Sequence, residues 1–391
     1  MPRNVWILTL CQALMTSCAS MVVFAGSLIG VDLAPTEKLS TLPNAVIVVG
    51  TALTSIPIAL SMRKFGRRKV FVTASSVAVV VALIGAYSIM IQSFALFCAT
   101  TALLGATMAA VQQFRFAAME SVPTDQAPRA ASQVLLGGLA AAFIGPELAL
   151  LGKDWFEAPF AGSFILLAGL FVISSIVLNN FRNIGFNDPE FKKPGRHLSN
   201  IIKQPIFWVA VTAAVVGYAS MTFIMTATPI SMHVHNGHSL QDTKWVIQSH
   251  IIAMFLPSLF TAFIIRMIGI IRMMLIGLIL FAGCLFMAYS GFDFYNYWTS
   301  LVLLGVGWNF LFIGGTTLLP TAYEPNERFK VQALNDFLVF GSQATASLGA
   351  GWILFQFGWQ QMLILTIPFM AMPLLAMAVW AMKSRSNTQP S

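Results

Sequence analysis

Two titratable side chains lie inside apolar stretches of the sequence, where a charge is costly. Glu147 follows directly after Pro146 in the run 130–152, and His250 lies in the run 244–265. A carboxyl group inside a bilayer is a functional candidate by default, and an imidazole exchanges its proton near neutral pH. The other interpretations are a hydrated acid near the membrane surface and a packed histidine with one hydrogen bond. Both residues are therefore candidates for proton coupling.

Polar and aromatic side chains recur at helical spacing in four other apolar runs, and they could contact a solute. Arg115 ends a polar stripe and could hold a carbonyl or anionic group, or it could extend its charge to the membrane surface. Trp308 and Phe312 could stack on a ring or pack within the protein. Together they suit an uncharged or weakly anionic organic molecule. The candidate cavity residues are Gln12, Thr16, Gln112, Arg115, Tyr218, Thr222, Thr226, Trp308 and Phe312.

Composition identifies the class of protein that must position these residues. Of 391 residues, 57% are hydrophobic and 9% are charged, whereas soluble proteins have about 25% charged residues. The chain is therefore a membrane protein, and its net charge of +8 belongs to loops facing anionic lipid, not to nucleic-acid binding. The four cysteines are scattered in apolar segments without paired spacing, which suggests neither a disulfide nor a metal site. The sequence contains no phosphate-binding loop, and no cofactor or enzymatic activity is expected.

Twelve apolar runs are long enough to cross a bilayer, which takes about 20 residues. The polar interval 182–204 separates two groups of six and predicts a cytoplasmic linker between an N-terminal half, 1–181, and a C-terminal half, 205–391. The runs are 5–30, 41–62, 69–91, 94–119, 130–152, 160–181, 205–231, 244–265, 272–291, 296–319, 331–356 and 359–382.

Basic residues predict the orientation. If Met1 is cytoplasmic, all of the 22 Lys and Arg residues except Lys38, Lys153 and Lys244 lie on the cytoplasmic side. Positive charge is retained on that side of membrane proteins. Both termini are therefore expected in the cytoplasm.

Three short patterns recur in order in the two halves. They pair 19–21 with 219–221, 63–66 with 266–269, and 103–105 with 303–305. Parallel six-helix repeats are typical of alternating-access carriers, whose solute site lies where the repeats meet.

The sequence resembles the major facilitator superfamily over nearly its whole length. The loop 63–69 resembles the loop between spans two and three of that family, and Gly145-Pro146 resembles a motif of its antiporters. Arg63 stands where the family usually has Asp, and Thr101 where its proton antiporters have Arg. The runs 225–229 and 254–258 resemble a bacterial subgroup of small-solute carriers with a riboflavin-uptake branch.

The resemblance implies an all-α membrane protein of twelve transmembrane helices in two pseudo-symmetric halves. Spans one, four, seven and ten would line the central cavity, and spans five and eight would bring Glu147 opposite His250. It also implies a cytoplasmic gate, in which Arg63 would pair with Asp336. The expected gate residues are Arg63, Arg67, Arg68 and Asp336.

The resulting functional hypothesis is a monomeric secondary active transporter of the bacterial cytoplasmic membrane that moves a small organic solute by alternating access. Its specific form is proton-coupled uptake of a vitamin-like aromatic such as riboflavin. The alternatives are efflux of a drug or metabolite by proton antiport, and a transporter-derived sensor that moves no solute.

Overall fold

The computed structural model describes residues 1–36, 39, 42–184 and 195–386, in which all regular structure is helical. Helices suit a bilayer because they satisfy their own backbone hydrogen bonds where no water is available. Among these described residues, eleven helices are long and apolar enough to cross a membrane, and one bent pair makes a twelfth span. The predicted all-helical, twelve-span class is confirmed.

The helices follow the predicted runs closely. They are α1 Arg3–Leu33, α2 Leu42–Phe65, α3 Arg67–Met90, α4 Phe94–Gln112, α5 Phe114–Met119, α6 Ala127–Gly152, α7 Ala161–Leu178, α8 Leu198–Ile202, α9 Pro205–Pro229, α10 Leu240–Phe255, α11 Ser258–Ile268, α12 Ile270–Ser290, α13 Phe294–Leu318 and α14 Arg328–Ser386. The range of α14 is interrupted at Gly358, whose backbone is not helical (φ 81°), and this break separates the last two spans.

The chain divides into two compact units. The first comprises Met1–Phe191 and the segment Gln332–Gly341 of α14, and the second comprises Lys192–Val331 and Ser342–Ser391. Residues 185–194 of the predicted linker lie outside the described residues, and the division of the chain into halves at 182–204 stays a prediction.

In the first unit, α1 packs on α6, α2 on α4, and α3 on α7. Glycines permit the closest contacts. A Cβ at Gly105 would lie 2.7 Å from the backbone nitrogen of Thr51, and one at Gly145 would lie 2.6 Å from Cβ of Ser20. In the second unit α13 is the central helix, because α9, α10 and α12 all pack against it.

Two turns show the internal repeat in the structure. Gly66 and Gly269 have φ of 82° and 85°, each between two helices at the end of an Arg-x-x-Gly pattern. This left-handed conformation favours glycine. A second pair of turns follows α5 and α13, at Thr124–Gln126 and Pro325–Glu327.

Span eight differs from the single helix that its apolar run predicts. The helices α10 and α11 are bent by 46° at a break between them. Pro257 lies in the break, and its ring nitrogen cannot donate the hydrogen bond that would continue the helix.

Candidate solute-binding and gating sites

Four rings of the second unit form an aromatic cluster: Tyr218, Phe255, Trp308 and Phe312. Trp308 and Phe312, one helical turn apart on α13, are stacked with ring centroids 5.0 Å apart and planes at 20°. Tyr218 of α9 meets both edge-on, at 5.1 and 4.9 Å. Phe255, at the end of α10, lies 5.8 Å from Trp308. These geometries are the favoured ones for aromatic pairs.

The aromatic cluster contains a buried donor. The Trp308 side chain is 1% exposed, and its Nε1–H has no hydrogen-bond partner among the described residues. Leaving such a donor unpaired costs about 1–3 kcal/mol. Thr222 is buried one turn from Tyr218, while Thr226, a further turn along α9, is exposed. The cluster therefore combines closely packed flat rings with one buried N–H group, which is the chemistry that would suit a ring carrying a carbonyl.

The candidate cavity residues of the first unit are engaged with their neighbours. Gln12 donates from Nε2 to Oγ1 of Thr16 at 3.0 Å. Gln112 accepts from Arg115 Nη1 at 2.8 Å. Whether these residues contact a solute stays a prediction.

Arg115 forms a buried ion pair that the sequence did not predict. Its Nη2 lies 2.6 Å from Oδ1 of Asp336, and the two side chains are 2% and 1% exposed. Gln113 donates to Oδ2 of Asp336 at 2.6 Å, and Asn335 donates to Oδ1 at 3.0 Å. Such pairing is what a charge removed from water requires.

A second ion pair is joined to the first through side-chain amides. Arg67 contacts Glu120 through two nitrogens, at 3.0 and 2.7 Å, and donates to Gln113 at 3.1 Å and to Gln332 at 2.8 Å. Gln113 also bonds Asp336, so its amide bridges the two ion pairs. We call this set the gate network: Arg67, Gln113, Arg115, Glu120, Gln332 and Asp336.

The predicted pair of Arg63 with Asp336 is wrong in this structure. Arg63 is exposed at the end of α2, whereas Asp336 is buried and bonded by Arg115. Arg68, also exposed, donates to Asn179 at 2.8 Å. Of the four expected gate residues, the structure therefore joins Arg67 and Asp336 in one network.

The two candidates for proton coupling differ in environment. His250 of α10 is fully buried, and its Nδ1 lies 2.8 Å from the carbonyl oxygen of Leu301. Its Nε2 has no hydrogen-bond partner among the described residues. Glu147 of α6 is exposed. Their expected placement opposite each other stays a prediction.

Comparison with known proteins decides the family. The Major Facilitator Superfamily pattern matches residues 5–234 and 210–391. The chain belongs to the major facilitator superfamily. It is 39% identical over 376 residues to the riboflavin transporter RfnT of Brucella anthropi, covering 95% of this chain and 94% of the relative. It is also 30% identical over 349 residues to the uncharacterized MFS-type transporter YddS of Bacillus subtilis, covering 85% and 80%.

Solved structures of this superfamily have the same fold. The human organic anion transporter MFSD10 (TETRAN) matches with a TM-score of 0.76 at 13% identity, covering 96% of this chain and 100% of that one. The proton:xylose symporter XylE bound to 6-bromo-6-deoxy-D-glucose matches with a TM-score of 0.76 at 12% identity, covering 96% and 94%. The predicted resemblance is confirmed, and the protein is a multi-pass membrane transporter.

Proposed function

We propose that this superfamily transporter carries riboflavin, or a closely related flat heterocycle, into the cell across a bacterial cytoplasmic membrane. The observation that carries the proposal is the 39% identity to the riboflavin transporter RfnT over 95% of this chain. In the proposal the transporter is a monomer with both termini in the cytoplasm, and solute enters with protons by alternating access.

The chemistry of the aromatic cluster supports a flat, uncharged solute. Riboflavin presents a fused ring with carbonyl groups, and stacking on aromatic side chains contributes about 1–3 kcal/mol for a comparable ring. The N–H group of Trp308, which lacks a partner among the described residues, supplies a donor for a carbonyl. Arg115 is already neutralised by Asp336, which favours an uncharged solute over an anion.

The gate network supports alternating access. It joins the start of α3, the end of α4, the helix α5 with the residue that follows it, and the segment Gln332–Gly341 of α14. In the proposal it keeps the cytoplasmic side closed and separates when the carrier opens inward. Arg63 and Arg68, which are exposed, would contact lipid headgroups at the same face.

Replacing Glu147 by glutamine tests proton coupling. If this carboxyl group carries the coupled proton, Glu147→Gln should flatten the dependence of riboflavin uptake on external pH, because an amide cannot take up and release that proton. Initial uptake rates over a series of external pH values measure the effect. Glu157→Gln, at an exposed acid after α6, is the matched control and should keep the wild-type profile. An unchanged profile in Glu147→Gln would remove this residue from the mechanism.

The direction of transport separates uptake from the efflux alternative. Gly145, part of the antiporter-like pattern, is explained by packing, because a Cβ there would meet the backbone of α1 at 2.7 Å. The proposal predicts riboflavin accumulation in right-side-out vesicles with an imposed inward proton gradient. Accumulation only in inside-out vesicles would support efflux by antiport, and binding without accumulation would support a sensor.

A further inference from the structure

The break in span eight leaves backbone groups that need partners. The helix α10 ends at Phe255 and α11 begins at Ser258, with a bend of 46° between them. Pro257 cannot donate a backbone hydrogen bond, so a straight helix through this point is already weakened. Proline allows a bend but does not by itself hold the two arms at one angle.

A fully buried amide on α13 binds both sides of this break. Nδ2 of Asn309 donates to the carbonyl oxygen of Met254, on α10, and to Oγ of Ser258, on α11, each at 2.7 Å. Its Oδ1 lies 3.0 Å from Oγ1 of Thr261, one turn further along α11. Because a carbonyl only accepts, the atom facing Met254 must be the amide nitrogen. All three contacts lie within hydrogen-bond distance.

Asn309 also adjoins the aromatic cluster. Trp308 precedes it on α13, and Phe255, the last residue of α10 before the break, lies 5.8 Å from the Trp308 ring. One turn of α13 therefore contacts both the cluster and the bend. Because Trp308 and Asn309 are consecutive residues of α13, a displacement of Trp308 by a bound ring would also move Asn309 and its contacts with span eight.

We propose that Asn309 is a positioning residue that holds span eight bent, and that it transmits solute contact at Trp308 to the break. The second part rests on the proposed function, whereas the first part does not. The competing explanation is that Pro257 alone sets the bend.

A spin-label distance separates these explanations. Trp245→Cys and Met267→Cys place labels at exposed positions on the two arms, after the native cysteines have been replaced. A straight helix would separate these positions by about 33 Å, and a bend of 46° near its middle shortens this to about 30 Å. Pulsed electron paramagnetic resonance on the purified full-length protein measures the difference.

Asn309→Leu should lengthen the mean distance by about 3 Å or broaden its distribution towards that value. Pro257→Ala should keep the short distance, because the three contacts of Asn309 remain. Ser300→Ala removes a buried hydroxyl of α13 that donates to the carbonyl oxygen of Tyr297 in the same helix, and it should leave the distance distribution unchanged. A short, narrow distribution in Asn309→Leu, or straightening in Pro257→Ala, would overturn the proposal.

Two milder variants keep the test decisive if Asn309→Leu does not fold. Ser258→Ala and Thr261→Val each remove one contact of Asn309 and should each broaden the distribution. Distributions identical to the wild type in both would overturn the proposal.

A transport measurement tests the second part of the proposal. Asn309→Leu should lower maximal riboflavin uptake at least tenfold while KM changes less than threefold. Wild-type maximal uptake in that variant would overturn the transmission step and leave the riboflavin assignment intact.

Discussion

Replacing Arg115 by methionine should lower the free energy of unfolding by about 3–5 kcal/mol. The reason is the carboxylate left behind, because Asp336 is 1% exposed and its cationic partner lies 2.6 Å away. Gln113 and Asn335 would still donate hydrogen bonds, but neither carries a positive charge. A buried charge without a counter-charge is among the most destabilising features of a folded protein.

The measurement is the apparent melting temperature of the detergent-solubilised protein. Arg115→Met should lower it by several degrees, and adding Asp336→Asn should recover at least half of that loss, because the second change removes the uncompensated charge. The control is Arg63→Met, at an exposed arginine in the same unit, which should stay close to the wild type. Equal melting temperatures for wild type and Arg115→Met, or a double variant no better than the single one, would contradict the assignment.

The second large effect is expected at Trp308. Trp308→Ala should raise the Kd for riboflavin about 10- to 100-fold, since loss of a stacking ring costs about 1–3 kcal/mol. Trp308→Phe keeps a ring but loses the N–H donor, so its Kd should rise only about 2- to 10-fold. Quenching of riboflavin fluorescence by the purified protein measures both constants.

A buried tryptophan elsewhere in the second unit is the matched control. Trp359 is buried, and its Nε1 donates to the carbonyl oxygen of Ala288 at 3.0 Å. Trp359→Phe should leave the Kd within twofold of the wild type. If Trp308→Ala also stays within twofold, the aromatic cluster is packing and the solute binds elsewhere.

The spans could be predicted from the sequence because length and hydropathy alone determine which segments can cross a bilayer. The turn at Gly269 was also foreseeable, since the pattern around Gly66 recurs there and both need a left-handed backbone. The bend of span eight was not predicted, because a straight helix and a broken helix can have the same apolar sequence pattern. Only Pro257 signalled it.

The partners of buried charges could not be predicted in the same way. Arg115 and Asp336 are separated by 221 residues, and helical periodicity carries no information on contacts at that separation. The sequence analysis placed Asp336 near Arg63 because both were expected at one membrane face. A shared membrane face reduces the number of possible basic partners for Asp336 but does not identify one. The requirement that a buried cation have an anionic partner is the only signal that could have led from Arg115 to a buried acid such as Asp336, and it does not say which acid is the partner.

Polar residues without periodicity were missed altogether. Asn309 is a single amide within the apolar span ten, and Gln113, Glu120 and Gln332 occur near helix ends where polar residues are common. Trp308 and Phe312 were identified because residues four apart share a helix face. Phe255 was not, because its contact with Trp308 depends on how α10 packs against α13.

Uptake of radiolabelled riboflavin into cells tests whether this transporter carries riboflavin. Cells that lack their own riboflavin transport and express this chain are compared with cells carrying an empty vector, with and without a protonophore. We expect uptake well above the vector control, and we expect excess unlabelled riboflavin to compete with it and the protonophore to abolish it. Uptake equal to the vector control, with the protein present in the membrane in normal amount, would contradict it.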